Sequence, residues 1–137
     1  MRVIRWALAT AVLAPAAAQA QTADSVSLRV AERQIDAFNR RDLDAFMALY
    51  ADDAVVLEFP SGNVIAAGKA AIRERYAGML RSRTADAPPV RVEPRVVDGA
   101  FVLDYERWDA PPGQRANAVW MYEIKHGVIQ RAWTVRM

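Results

Sequence analysis

The sequence predicts an α+β fold with helices packed on one face of an antiparallel sheet, and three features predict it. Apolar residues recur at helical spacing from Leu28 to Leu80. Short runs rich in β-branched and aromatic residues take over after Thr84. Two turn signals, Asp98-Gly99 and His126-Gly127, join those runs into hairpins. Helices first and an antiparallel meander afterwards is an α+β order, not a βαβ order.

The elements follow along the chain. Arg2 and Arg5, the apolar run WALATAVLAPAAA and then Ala18-Gln19-Ala20 have the layout of a secretory signal peptide with a small-x-small cleavage site. The run falls short of the ~20 residues that a membrane span needs. The expected leader is therefore 1–20 and the expected domain 21–137, in a periplasmic or secreted protein. Asp24 is placed to cap a first helix whose apolar side is Leu28, Ala31, Ile35 and Phe38. Asn39-Arg40-Arg41 ends it, and Asp42 caps a second helix carrying Leu43, Phe46, Met47 and Tyr50. Asp52-Asp53 breaks the chain before a strand over 54–59. Pro60-Ser61-Gly62 turns into a short return strand over 63–66. Gly68 opens a third helix with Ile72, Tyr76, Met79 and Leu80 on its inner side. Beyond the Ala87-Pro88-Pro89 linker, strands are expected over 91–97, 100–108, 115–125 and 128–136.

Composition narrows the function. The chain has 137 residues, with 18 Lys+Arg and 16 Asp+Glu. Arg2 and Arg5 leave with the leader, so the expected mature chain is formally neutral. Net charge then gives no support to a nucleic-acid partner or to an anionic membrane surface. There is no cysteine and one histidine, His126, which sits at a hairpin tip. Disulfides are excluded, no transition-metal site is expected, and no cofactor motif is present.

Pairing outward from a His126-Gly127 turn sets Lys125 opposite Val128, Ile124 opposite Ile129, Tyr122 opposite Arg131 and Trp120 opposite Trp133. Paired residues share a face. The bulkier face, with Trp120, Tyr122, Arg131 and Trp133, is expected to meet the helices.

The stretches NRRDLDAFMALYADDAVV and GKAAIRERYAGML resemble the nuclear transport factor 2-like superfamily, in particular its SnoaL-like and steroid Δ-isomerase-like branch. The likeness runs from the first helix to the last strand. It implies a cone-shaped, cystatin-like fold in which three N-terminal helices pack on a curved antiparallel sheet around a pocket. It also implies that Glu58 occupies the place of the isomerases' aspartate base. Gln34 and Trp120 occupy the places of their tyrosine and protonated aspartate, the oxyanion-hole pair. Asp104, Glu106, Trp108 and Arg75 are sent inward, with Tyr122, Arg131 and Trp133 completing the cavity.

Two functions are expected from this set. One is a cofactor-independent isomerase, cyclase or dehydratase-type enzyme with Glu58 as general base and Arg131 and Tyr122 orienting a small-molecule substrate. The other is a non-catalytic ligand-binding or dimerisation domain whose carboxylate–arginine pairs are structural. Arg131 or Arg75 is expected to bridge to Asp104 or Glu106, because buried charges need partners. A homodimer through the outer face of the sheet is expected as well.

Overall fold

The computed structural model describes residues 16–135. Three helices are α1 (Ala16–Asn39), α2 (Leu43–Met47) and α3 (Lys69–Ser82). Six strands are β1 (Tyr50–Phe59), β2 (Val64–Ala67), β3 (Arg91–Asp98), β4 (Phe101–Arg107), β5 (Asn117–Lys125) and β6 (Val128–Val135). They form one curved, unclosed sheet in the order β2-β1-β6-β5-β4-β3, with the helices on one face. Every neighbouring pair is antiparallel except β1 and β6, which run parallel. The helical segment between β1 and the meander lets the last strand return beside the first in the same direction.

The core lies between the helices and the sheet. Val30, Ala31, Phe38, Phe46, Ile72, Tyr76 and Leu80 come down from the helices, and Val56, Val102, Tyr122, Ile129 and Ala132 come up from the strands. An aromatic cluster fills the space under α2 and α3. Phe46 lies 4.3 Å from Tyr76 between ring centroids, Tyr50 stacks on Phe46 at 5.3 Å, and Tyr76 reaches Trp120 at 6.4 Å. Tyr50, expected on the second helix, belongs to β1. That strand begins four residues early and carries Asp52 and Asp53 as exposed residues where a break was expected.

The expected leader falls largely on residues outside the described ones. Residues 16–20 continue α1, so Asp24 lies within the helix and does not cap it. Its carboxylate instead accepts the Gly99 amide at 2.6 Å, and Ser27 Oγ donates to the Gly99 carbonyl at 2.7 Å. Both backbone groups of Gly99 are thus clamped to α1. Asp42 does cap α2, accepting from the Ala45 amide at 2.9 Å.

Two local shifts decide what faces the helices. The β3–β4 turn is formed by Gly99-Ala100, one residue later than expected, because Asp98 pairs with Phe101. The β5–β6 hairpin does turn at His126-Gly127, both at positive φ (51° and 75°), and Lys125 meets Val128 as expected. Beyond Ile124–Ile129 the register slips, so that Glu123 opposes Arg131 and Tyr122 opposes Ala132. Gln130 is the extra residue of this bulge. A one-residue slip turns every later side chain to the other face. Arg131 and Trp133 therefore lie on the face away from the helices, and the expectation that they line the cavity is corrected.

Candidate functional site

The site begins with the alternation of β4, which buries Val102, Asp104 and Glu106 on the helix side. Asp104 stands directly opposite Arg95 of β3. Arg95 Nε and Nη2 donate to its two carboxylate oxygens at 2.6 and 2.7 Å, in a bidentate pair with Asp104 fully buried. Glu106 lies two residues on, opposite Val92 and Ala118 in the ladder, and among the described residues it takes part in no ion pair. Burial raises its pKa from 4.5 to about 8, and the adjacent Asp104 charge adds to the rise. Arg95, the Tyr122 hydroxyl that hydrogen-bonds the carboxyl, and Arg83 pull the other way without cancelling it. At neutral pH Glu106 is predominantly a carboxylic acid.

Glu106 forms the floor of a cavity of about 360 Å³. Phe38, Met79, Val90, Trp108, Ala118 and Trp120 make its walls, while Ser82, Arg83, Pro88 and Asp109 stand at its more exposed end. The volume is in the range that holds a small molecule, and the lining is mainly apolar. Beyond Glu106 a chamber of about 20 Å³ continues inward, bounded by Gln34, Ile35, Tyr76 and Tyr122 and sharing Phe38, Met79, Glu106 and Trp120 with the main cavity. Gln34 is buried there. Its Nε2 donates to Tyr122 Oη at 3.3 Å, and its Oε1 has no hydrogen-bond partner among the described residues. A buried carbonyl oxygen with no donor invites one, and the chamber has room for a single water-sized group. The two tyrosines that line it, Tyr76 and Tyr122, are kept neutral by burial, which raises both phenols well above their usual range, and burial likewise pushes Tyr50, hydrogen-bonded to Tyr76, up to about 12.

The Asn39-Arg40-Arg41 segment builds the mouth. The Asn39 side chain donates to the Val90 carbonyl at 2.9 Å and accepts the Val90 amide at 2.8 Å. Arg41 donates to the carbonyls of Leu80, Arg83 and Thr84, tying down the end of α3. The two lips, 80–84 and 87–90, are thereby held to the end of α1.

Of the residues expected in the site, Gln34, Glu106, Trp108, Trp120 and Tyr122 are brought together. Asp104 faces inward but is consumed by Arg95. Glu58 is not part of this cavity. It shares the helix-facing side of the sheet with Trp120, through the register row Glu58, Thr134, Trp120. It opens into a separate depression with Ile65, Arg75, Arg115 and Thr134 that shares no lining residue with the cavity. Its carboxylate accepts from Ser61 Oγ at 2.8 Å and from Asn63 Nδ2 at 3.4 Å, bracing the β1–β2 turn. Arg75 lies on the exposed side of α3. Arg131 meets Glu123 at 3.2 Å on the outer face, so the bridge expected from Arg131 or Arg75 to Asp104 or Glu106 is made by Arg95 alone.

Arg95 and Arg83 join the site without being among the residues expected there. The signal for Arg95 was available in the β3–β4 hairpin. A turn at Asp98-Gly99 would set Glu93 against Asp104, two like charges, whereas a one-residue shift sets Arg95 there. Arg83 lies in an irregular segment with no periodicity, and nothing in sequence placed it.

Comparison with known proteins agrees with this architecture. A candidate ketosteroid isomerase from Kribbella flavida superposes with a TM-score of 0.66 at 19% identity, covering 82% of this chain and 78% of its own. A nuclear transport factor 2-like protein of unknown function from Mesorhizobium loti gives 0.67 at 20% identity, covering 82% and 91%. A candidate polyketide cyclase from Sinorhizobium meliloti gives 0.61 at 24% identity, covering 79% and 97%. At these identities the likeness is one of fold. The profile of the SnoaL-like domain matches residues 31–132, which runs from the first buried turns of α1 to the middle of β6 and takes in the whole cavity. With that match over most of its length the chain belongs to the SnoaL-like family, and its three helices on a curved six-stranded sheet have a nuclear transport factor 2-like fold.

Proposed function

We propose that this protein binds a small, largely apolar carbonyl compound in the Glu106 cavity and moves a proton on it, as an isomerase- or cyclase-type enzyme without a cofactor. One observation carries the reading: a buried carboxyl whose pKa is raised to about 8 forms the floor of a mainly apolar cavity. An acid–base catalyst works best when its pKa lies near the working pH. Glu106 in its carboxylate form takes a proton from carbon beside the carbonyl, breaking a C–H bond and leaving an enolate. The resulting acid returns the proton at another atom of the same conjugated system, so that Glu106 is regenerated. The Gln34 Oε1 acceptor orients a ligand hydroxyl or a bridging water. The isomerase and cyclase descriptions of two structural relatives support the reaction class.

The test is a panel of steroids, polyketide-like aromatics and small hydrophobic acids, followed by binding and by proton exchange at carbon. Wild type exchanges or converts one class, and Glu106→Gln still binds it while losing turnover. Binding with no exchange by wild type leaves a ligand-binding protein and removes the enzyme reading.

We propose also that the sheet face turned away from the helices pairs two copies of the chain. Val96, Leu103, Met121, Trp133 and Leu57 lie in one register row across five strands, with Val96 and Leu103 exposed. An apolar row of this width on an uncovered sheet is an association surface. Export remains the reading for the N-terminal leader, and N-terminal sequencing of the exported protein, expected to begin at Gln21, tests it.

A further inference from the structure

The cavity's charges do not balance. Glu106 at the floor is predominantly neutral, because burial holds its proton on. Asp109 at the mouth is matched by Arg91 at 3.0 Å. Arg83 is the charge left over. Its guanidinium lies over the Phe38 ring at 5.1 Å and donates to the Pro88 carbonyl at 2.6 Å. Among the described residues it takes part in no ion pair, and neither does Arg41 beside it. Burial and the Arg41 charge both work against the Arg83 cation, and the smaller favourable contribution of Glu106 does not offset them. An anion at the mouth would relieve both costs.

We propose that the ligand is a carboxylic acid with an apolar body, its carboxylate held by Arg83 at the cavity mouth and its far end directed at Glu106. This rests on the reading of the cavity as a ligand site. The planar fork of a guanidinium matches a carboxylate. One available guanidinium in a cavity that is also lined by the Asp109 carboxylate suits a monoanion and disfavours a phosphate dianion. The stacking on Phe38 and the bond to Pro88 fix the fork before the ligand arrives, which lowers the entropy lost on binding.

Calorimetric titration of naphthoate, naphthamide and naphthyl phosphate into wild type, Arg83→Gln, Arg83→Lys and Glu106→Gln tests this, with thermal melts to establish that each variant is folded. Wild type prefers naphthoate to naphthamide by about tenfold or more, the scale of a hydrogen bond to a charged group. Arg83→Gln abolishes the preference without weakening naphthamide, Arg83→Lys keeps part of it, and Glu106→Gln keeps all of it. Equal affinity of wild type for acid and amide, or a preference that survives Arg83→Gln, overturns the Arg83 assignment and leaves the cavity reading intact. Tighter binding of the phosphate overturns the carboxylate. Failure of all three to bind overturns the cavity reading and this inference with it.

Discussion

Arg95 holds Asp104 in a bidentate pair, and Glu106, two residues along the same strand, has no ion-pair partner among the described residues. Two inward carboxyls on one strand repel each other. The one that captures the arginine becomes a structural ion pair. The other is held neutral chiefly by burial, with the Asp104 charge adding to the rise, and keeps its proton up to about pH 8. A fold that buries both residues thus yields one acid poised near neutrality.

Stability should record that proton. Folded Glu106 retains it up to about pH 8, while the unfolded side chain releases it near 4.5. The folded state therefore binds the extra proton within this window. The stabilisation from this group is complete below about pH 4.5, declines as pH rises, and is gone above about pH 8. The slope is on the order of 1 kcal/mol per pH unit. Urea unfolding across pH 5 to 8.5 should show wild type losing stability relative to Glu106→Gln, with the two curves parallel above that range.

The same group should govern catalysis. With a substrate identified, Glu106→Gln is expected to lower kcat by about 10²–10⁴-fold, the range for loss of a general acid–base. The limb of the wild-type pH–rate profile near pH 8 should vanish with it. A variant that keeps that limb assigns it to another group.

Removing Arg95 strands a buried carboxylate. Arg95→Met is expected to cost about 3–5 kcal/mol in a denaturation experiment. The double variant Arg95→Met with Asp104→Asn should recover much of that loss, since no charge is then left unpaired. Equal losses in the single and double variants would show that the arginine matters through packing instead.

The tryptophans separate the two faces of the sheet. Trp108 and Trp120 line the cavity, whereas Trp133 lies on the outer face. Quenching by a bound ligand should persist in Trp133→Phe and fall sharply in Trp120→Phe. Trp133 should respond instead to self-association, which Leu103→Lys is expected to abolish in sedimentation velocity.

The Gln130 bulge carries its own prediction. Its side chain donates to Asp53 at 2.9 Å, a single exposed contact, so Gln130→Ala should be nearly neutral, within about 0.5 kcal/mol. Deleting Gln130 restores the regular hairpin register and drives Arg131 and Trp133 toward the core. Loss of cooperative unfolding is expected, read by near-ultraviolet circular dichroism.

Periodicity and turn chemistry by themselves determined much of this protein. The Asp42 cap, the inner side of α3, the His126-Gly127 turn and the shared face of Asp104 and Glu106 follow from local rules, because each depends on residues within a few positions of one another; that this face turns inward was an implication of the family resemblance. The family resemblance, read from the same residues, placed the helices on a curved sheet. Tertiary structure decided the rest. A single bulge residue moved Arg131 and Trp133 to the outer face, since strand side chains alternate with a period of two. A one-residue shift of the β3–β4 turn gave Asp104 its partner. Glu58 fell into a separate depression that shares no lining residue with the cavity, and Asn39 and Arg41 tied down the segments at the cavity mouth. Which carboxyl becomes the acid depends on burial and on which neighbour holds the arginine, and those quantities exist only once the chain is folded.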